Sequence, residues 1–154
     1  MMLAANILLA IVWAVLIGPF SLANLLVGFV AGLAGLAMCS RSGRAYARRF
    51  WGITALLAFL AMELVIANIR VAYYTVSRLD RLHPAVLAVP LEELSDIEIT
   101  LLAILVTLTP GTLTLDLSPD HRIMYIHFMH VEDEKRAINE VKSGFERRIM
   151  EALR

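Results

Sequence analysis

The first forty residues, Met1 to Ser40, contain no charged side chain, and four arginines follow within the next nine positions. The hydrocarbon core of a bilayer is about 30 Å thick, and an α-helix needs roughly 20 apolar residues to cross it. Forty uncharged residues, interrupted at Gly18-Pro19-Phe20-Ser21, therefore predict two crossing helices joined by a tight turn. Because short arginine-rich segments stay on the cytoplasmic side, the arginines place the end of this hairpin inside the cell.

Charge is distributed unevenly along the chain, although the net charge of its 154 residues is zero. Residues 1–79 contain six arginines and one acid, whereas residues 80–154 contain eight basic and thirteen acidic side chains. This division predicts a membrane anchor followed by a small water-exposed domain. The arginines of residues 1–79 are suited to contact anionic lipid headgroups. The acidic second half argues against nucleic acid as a partner. The start lacks the basic segment of a cleavable signal peptide, so we expect the first helix to be retained.

The two N-terminal helices are predicted over Leu3 to Ile17 and Leu22 to Met38. In the second helix, Gly28, Gly32 and Gly35 place small residues along one face. A face of this kind lets two helices approach closely in lipid, where packing drives their association. The alternative is that glycine is simply common in membrane helices. We expect the three glycines to be helix-packing positions.

A third helix is predicted from Phe50 to Leu79, and its relation to the membrane has two interpretations. Its first part is apolar enough to cross, but a crossing would leave basic residues on both sides of the membrane, against the usual bias. Glu63, Arg70 and Ser77 recur every seven residues and share a face, with Asn68 off that face. A polar stripe of this kind is typical of a helix lying along the interface. We therefore expect an amphipathic, interfacial helix.

The remaining sequence predicts a small α+β domain. Ser95 and Glu98 form a capping box that opens a helix, and the Ser118-Pro119-Asp120-His121 turn predicts that the strands on either side pair as a hairpin. The last helix carries acids at its N-terminus and arginines at its C-terminus, as the helix dipole prefers. The elements in order are a strand over 85–91, a helix over 95–108, strands over 112–117 and 122–128, and a helix over 132–153.

The predicted fold is thus a membrane α-helical hairpin and a long interfacial helix, followed by an α+β domain with the order β-α-β-β-α. Residues 1–40 form the transmembrane hairpin, residues 41–82 a basic loop and the long amphipathic helix, and residues 83–154 the cytoplasmic domain. The protein is expected to be a multi-pass protein of the cell membrane.

Three polar residues of the third helix and one turn are the candidate functional positions. Glu63 is the only acid in the membrane half, and an intramembrane carboxylate is by default a candidate for proton or cation handling. The alternative is structural: Glu63 lies at the interface, or pairs with Arg70 or with another subunit's arginine. Asn68 and Arg70 are the other candidates on this helix. The turn formed by Thr109, Pro110, Gly111 and Thr112 either lines a polar path or satisfies local backbone groups.

Nothing in the sequence is typical of an enzyme. It contains no glycine-rich phosphate loop, no G-x-S-x-G elbow and no H-E-x-x-H pattern. The single cysteine, Cys39, excludes an intramolecular disulfide and an all-cysteine metal site. His127 and His130 are three residues apart, and on a strand the side chains of such a pair point to opposite faces. We expect no catalytic residue, no cofactor and no bound metal.

Several segments resemble a known family in the order in which they occur there. They are Glu63–Asn68 (ELVIAN), Pro84–Pro90 (PAVLAVP), Leu101–Asp116 (LLAILVTLTPGTLTLD), Tyr125–His127 and Phe145–Glu146. The Leu-Thr-Pro-Gly-Thr-Leu run is the most specific of them. Together they resemble the E subunit of Mrp-type (also called Mnh or Pha) multisubunit cation/proton antiporters.

This resemblance implies an accessory subunit of a membrane complex that exchanges cytoplasmic Na⁺, or K⁺ in some members, for external protons. Its partners would be the other antiporter subunits and membrane lipids, and translocation would belong to larger subunits. The residues support this division independently, because one carboxylate cannot form a transmembrane proton relay. Two alternatives stay open: Glu63 contributes directly to the ion path, or the chain is a free-standing, membrane-anchored binding module.

Overall fold

A computed structural model describes residues 1–76 and 82–154. The chain divides into two compact units, residues 1–51 and residues 52–154, and each is described by itself. Ser77 and the predicted end of the third helix at Leu79 lie outside the described residues.

The N-terminal unit contains the predicted helical hairpin. Helices α1 (Met2–Ile17) and α2 (Leu22–Cys39) are joined by a four-residue turn. Ser21 caps α2, because its hydroxyl accepts a hydrogen bond from the Asn24 amide at 3.2 Å. Most large apolar side chains of both helices are exposed, as expected for a hairpin surrounded by hydrocarbon. By length and composition α2 is able to cross a membrane, while α1, with 16 residues, is shorter.

Helix α3 extends over Arg41–Val76 and has 36 residues. The prediction of a basic loop over residues 41–49 is therefore wrong. Ser40 ends α2 and at once caps α3, because its hydroxyl accepts from the Gly43 amide at 2.9 Å. Arginine and alanine are strong helix formers, so the arginines that mark the edge of an apolar segment do not interrupt the helix. At 1.5 Å per residue α3 is about 54 Å long, and its length and composition also permit a crossing.

The C-terminal unit contains a three-stranded antiparallel sheet with helices. Its strands are β1 (Ala85–Pro90), β2 (Thr112–Leu117) and β3 (Ile123–Phe128), arranged in the order β1-β3-β2. The predicted β2–β3 hairpin is confirmed, with Leu113 opposite His127 and a bulge between Thr114 and Asp116. Helix α4 (Asp96–Leu108) connects β1 to β2, and the capping box predicted at its start is present.

The core of this unit lies on one face of the sheet. Met124, Ile126 and Phe128 of the central strand are buried there, together with apolar residues of α4 and of the C-terminal helix. Leu56 of α3 belongs to the same buried cluster, so the second half of α3 packs as part of this unit. The other sheet face is exposed and partly apolar, with Val86, Leu113, Leu115 and Tyr125 on it.

The C-terminal helix is predicted as one regular helix, but it contains a π-helical segment. It consists of α5 (Glu134–Glu140), a π segment (Val141–Glu146) and α6 (Arg147–Leu153). Asp133 caps its start by accepting from the amides of Lys135 and Arg136. The apolar face of this helix is buried, with Val141, Phe145 and Ile149 on it. A π segment is a rare widening of a helix and often lies at a functional site.

Candidate functional site

A cavity of about 460 Å³ lies within the C-terminal unit, between α3, the turn after α4 and the C-terminal helix. This volume falls in the range typical of ligand pockets, about 300–1,000 Å³. Apolar side chains of all these elements line part of it, and the π segment forms one wall. The charged and imidazole side chains in its lining are Glu63, Arg70, His130, Glu140, Arg147 and Arg148.

The cavity brings together two of the three predicted polar residues of α3 and the threonine-proline-glycine turn. Glu63, Arg70 and residues 109–112 all line it. Asn68 does not, since its amide donates to the Leu64 carbonyl of its own helix at 2.7 Å. Although Glu63 and Arg70 share the cavity, no ion pair joins them among the residues described in the structure. Glu63 is half-buried and Arg70 is exposed.

The turn after α4 is held by its own threonines. Thr109 donates to the Leu105 carbonyl at 3.0 Å, and Thr112 donates to the carbonyls of Val106 at 2.6 Å and Thr109 at 2.9 Å. Gly111 has a φ of +94°, a backbone conformation that side chains other than glycine rarely adopt. Because both hydroxyl groups satisfy backbone carbonyls, the geometry favours a structural role for this turn over a polar path.

Phe59 and Arg148 form a contact that the sequence did not reveal. The Arg148 guanidinium lies 4.1 Å from the centre of the Phe59 ring, within the range of a cation–π interaction. Its Nη1 atom also donates to the Ser143 and Gly144 carbonyls of the π segment, at 3.1 and 3.0 Å. A methyl group at Gly144 would lie 3.2 Å from the Phe59 ring, so glycine makes room for it. The sequence signal that could have indicated this contact is Gly144 itself, because a glycine inside a helix lowers helix stability by about 1 kcal/mol relative to alanine.

Close helix packing occurs at a second glycine that sequence reasoning missed. A methyl group on Gly52 of α3 would lie 2.8 Å from the Glu151 carbonyl oxygen and from the Ala152 Cα. Real Cβ atoms essentially never make contacts this short with backbone, so only glycine allows α3 to approach α6 this closely.

In the N-terminal unit, two of the three predicted packing glycines contact α1. A methyl group at Gly28 would lie 2.7 Å from the Trp13 Cβ and 2.9 Å from the Ala10 carbonyl oxygen. Gly32 lies against the Asn6 side chain, which is fully buried and donates to the Tyr46 hydroxyl at 3.2 Å. Gly35 is different, because no described atom lies within 4 Å of the position that its Cβ would take. Among the described residues, Gly35 therefore takes no part in the contact between α1 and α2, and its predicted role as a helix-packing position stays a prediction.

Two buried carboxylates hold the C-terminal helix in place. Glu98 is 4% exposed and accepts from Arg154 at 2.9 Å, and this hydrogen bond, with those from Ser95, overcomes burial and lowers the pKa of Glu98 to about 2. Glu146 is 1% exposed and accepts from Lys142 at 3.1 Å and from the Glu92 amide at 2.6 Å. Burial works against the charge of Lys142, but its bonds to Glu146 and Glu92 prevail and raise its pKa.

The described residues include no group of three or more His, Cys, Asp or Glu side chains able to hold a metal ion. His130 interacts with His83: its Nδ1 atom accepts a hydrogen bond from the His83 amide at 3.2 Å, and its ring stacks on the His83 ring. The cavity is therefore a mixed apolar and charged pocket beside an apolar helix. Fold and site together define a small protein in which long apolar helices precede an α+β domain.

Solved structures with the same fold come from two membrane complexes. A chain of the Mrp complex from Dietzia sp. DQ12-45-1b matches with a TM-score of 0.51 and 24% identity, over 66% of this chain and 96% of that one. A chain of the membrane-bound sulfane sulfur reductase, an archaeal respiratory complex, matches with a TM-score of 0.55 and 24% identity, over 96% of both chains.

Sequence comparison gives the family. The family model described as "Na+/H+ ion antiporter subunit" matches residues 6–152. The E subunit of the Na⁺/H⁺ antiporter of Alkalihalophilus pseudofirmus is 34% identical, and that of Bacillus subtilis is 35% identical, each over 97% of this chain and 96% of the relative. The chain belongs to the family of Na⁺/H⁺ ion antiporter subunits, as the segments quoted from its sequence had suggested.

Proposed function

We propose that this chain is an accessory and assembly subunit of a multisubunit Na⁺/H⁺ antiporter in the cell membrane. Other antiporter subunits are its partners, and they carry the ion-translocating groups. One observation supports this role above the others: among residues 1–76, Glu63 is the only acid and no lysine is present. Antiport needs a chain of titratable groups across the membrane, and a single carboxylate does not supply one.

The proposal is tested by purifying the antiporter with an affinity tag on this chain. We expect the larger subunits to co-purify, and we expect the complex with Glu63→Gln to remain assembled and to exchange Na⁺ for H⁺ in inverted vesicles. Glu151→Gln is the matched control, because Glu151 is exposed and pairs only weakly with Arg147, at 3.8 Å. Isolation of the tagged chain as a stable, monodisperse protein without partners would instead support a free-standing binding module.

A direct role for Glu63 in ion handling is the second candidate. Its carboxylate is half-buried, lines the cavity and has no hydrogen-bond or ion-pair partner among the described residues. An unpaired carboxylate of this kind is free to bind a proton or cation. Loss of transport in Glu63→Gln, with the complex intact, would establish this role. Dispersal of the complex by the same substitution would make the residue structural.

We also propose that α3 lies along the interface and that the α+β domain is cytoplasmic. The arginines at the start of α3 support this placement, because basic residues stay on the inner side. The test uses Cys39→Ser with a probe cysteine at Pro119, since the neighbouring Ser118 hydroxyl holds the hairpin turn through the Ile123 amide at 2.9 Å. Labelling from the cytoplasmic side alone is expected. Labelling from outside would mean that α3 crosses the membrane.

A further inference from the structure

We propose that the cavity of the C-terminal unit binds the headgroup of one membrane glycerophospholipid that carries an N–H or O–H donor beyond its phosphate. Phosphatidylethanolamine and phosphatidylglycerol have such headgroups, and phosphatidylcholine does not. The inference concerns a ligand of this chain and holds whichever subunit moves the ions.

Two arginines make the cavity suitable for a phosphate. Arg70 and Arg148 both line it, and neither has a carboxylate partner within the described part of the chain. Arg148 is already oriented, because Phe59 lies under its guanidinium and two carbonyls fix Nη1. Its other N–H groups stay available, and a fixed guanidinium fork matches the geometry of a phosphate. Arg70 of α3 lines the same cavity and adds a second positive charge.

The carboxylates of the cavity give the headgroup its selectivity. Glu140 pairs with Arg136 at 3.3 Å, so its charge is compensated. Glu63 has no such partner and lies seven residues before Arg70 on the same face of α3. A carboxylate accepts hydrogen bonds and cannot donate them. It therefore favours a headgroup that ends in an ammonium or hydroxyl donor, and it gains no hydrogen bond from a quaternary ammonium.

The remaining walls suit an acyl chain. Val71, Val106, Phe128, Val141 and Phe145 contribute apolar side chains to the lining. A cavity of about 460 Å³ holds a headgroup and the first part of a chain rather than a whole lipid.

A different face of α3, outside the lining of the cavity, is apolar and exposed, with Val65, Ile69 and Val76 on it. Basic pockets beside membrane helices on the cytoplasmic side are known to recognise lipid headgroups. The charge pattern of the cavity thus identifies the occupant: the arginines suit a phosphate, and the Glu63 carboxylate suits a donor beyond it.

The test is photo-crosslinking of phospholipids that carry a diazirine in the acyl chain to the purified, reconstituted antiporter complex. Peptides of residues 59–74 and 140–148 are then quantified by mass spectrometry. We expect the ethanolamine and glycerol lipids to label these peptides more than the choline lipid does. Arg70→Gln should reduce labelling about tenfold, the effect of losing one charged hydrogen bond. Arg122→Gln is the matched control, because Arg122 is exposed in the distant hairpin turn.

Further variants keep the test decisive if Arg70→Gln fails to assemble. Arg70→Lys keeps the positive charge and should retain most labelling, and Glu63→Gln should bring choline and ethanolamine lipids to similar labelling. Equal labelling of wild type, Arg70→Gln and Arg122→Gln would show ordinary surrounding lipid and overturn the proposal. Equal labelling by all three headgroups in the wild type would also overturn it. Labelling no higher than background for all three lipids, together with binding of inorganic phosphate that Arg70→Gln abolishes, would make this a free-phosphate site instead.

Discussion

Replacing Glu98 by glutamine tests how strongly the bond between α4 and the chain end stabilises the C-terminal unit. Both carboxylate oxygens accept from Arg154, at 2.9 and 3.2 Å, and Oε2 also accepts from the Ser95 amide at 2.8 Å. The lowering of the Glu98 pKa from 4.5 to about 2 corresponds to at most about 3–4 kcal/mol. Because the Arg154 side chain is 55% exposed, solvent screens part of this energy, and we expect a loss of about 1–2 kcal/mol.

Hydrogen exchange of the purified complex at pH 7 measures this loss locally. Amides of α4 and α6 should exchange about tenfold faster in Glu98→Gln, since 1.4 kcal/mol is a factor of ten. The glutamine oxygen can still accept from the Ser95 amide, so the change reports mainly on the bond to Arg154. In the control Glu151→Gln, both partners of the ion pair are more than 60% exposed, and we expect less than a twofold change. Equal exchange in the two variants would refute the reasoning.

Three other perturbations follow from the same contacts. The interactions that lower the pKa of Glu98 stabilise the fold fully above pH 4.5, and this contribution disappears as the pH falls toward 2. The melting temperature of the wild type should therefore fall more over that interval than the melting temperature of Glu98→Gln. Gly28→Ala should cost about 1–3 kcal/mol by overpacking and reduce the folded chain recovered from membranes, whereas Gly35→Ala, in open space, should not. Gly52→Ala should speed amide exchange in α6 by forcing it away from α3, and unchanged exchange there would contradict the close approach.

The sequence predicted correctly those structural elements that are specified by hydrogen bonds between residues close together in the chain. The capping box at Ser95 and Glu98 specifies the start of α4 because both of its hydrogen bonds form within four residues. The hairpin turn works in the same way, since the Ser118 hydroxyl accepts from the Arg122 and Ile123 amides. The predicted start of α3 at Phe50 was wrong because the cluster of arginines was taken to mark the end of a helix. A cluster of arginines marks where a chain leaves the hydrocarbon, and a helix can continue past that point.

The cavity could not be predicted from the sequence, because its parts come together only by packing. Phe59 and Phe145 make ring contact at 5.2 Å although 86 positions separate them (145 − 59), and Arg154 reaches Glu98 across 56 positions. Glu63 and Arg70 were recognisable as polar residues in an apolar helix, which is a local anomaly. Arg148 could not be recognised in this way, because an arginine near the C-terminus of a helix is common. Only the structure shows that carbonyls of the π segment accept hydrogen bonds from it.

The fold alone does not determine what such a subunit does. Chains of this architecture are present both in an Mrp complex and in a sulfane sulfur reductase, so the same helices and sheet serve complexes with different named activities. Whatever distinguishes this chain must then lie in side chains that the fold leaves unpaired. Within the described cavity, the charged side chains without an ion-pair partner are Glu63 and Arg70 of α3 and Arg148 of α6. A transport measurement and a lipid measurement on Glu63→Gln separate the two roles, because ion handling requires its charge for turnover, whereas lipid selection requires it only for the headgroup preference.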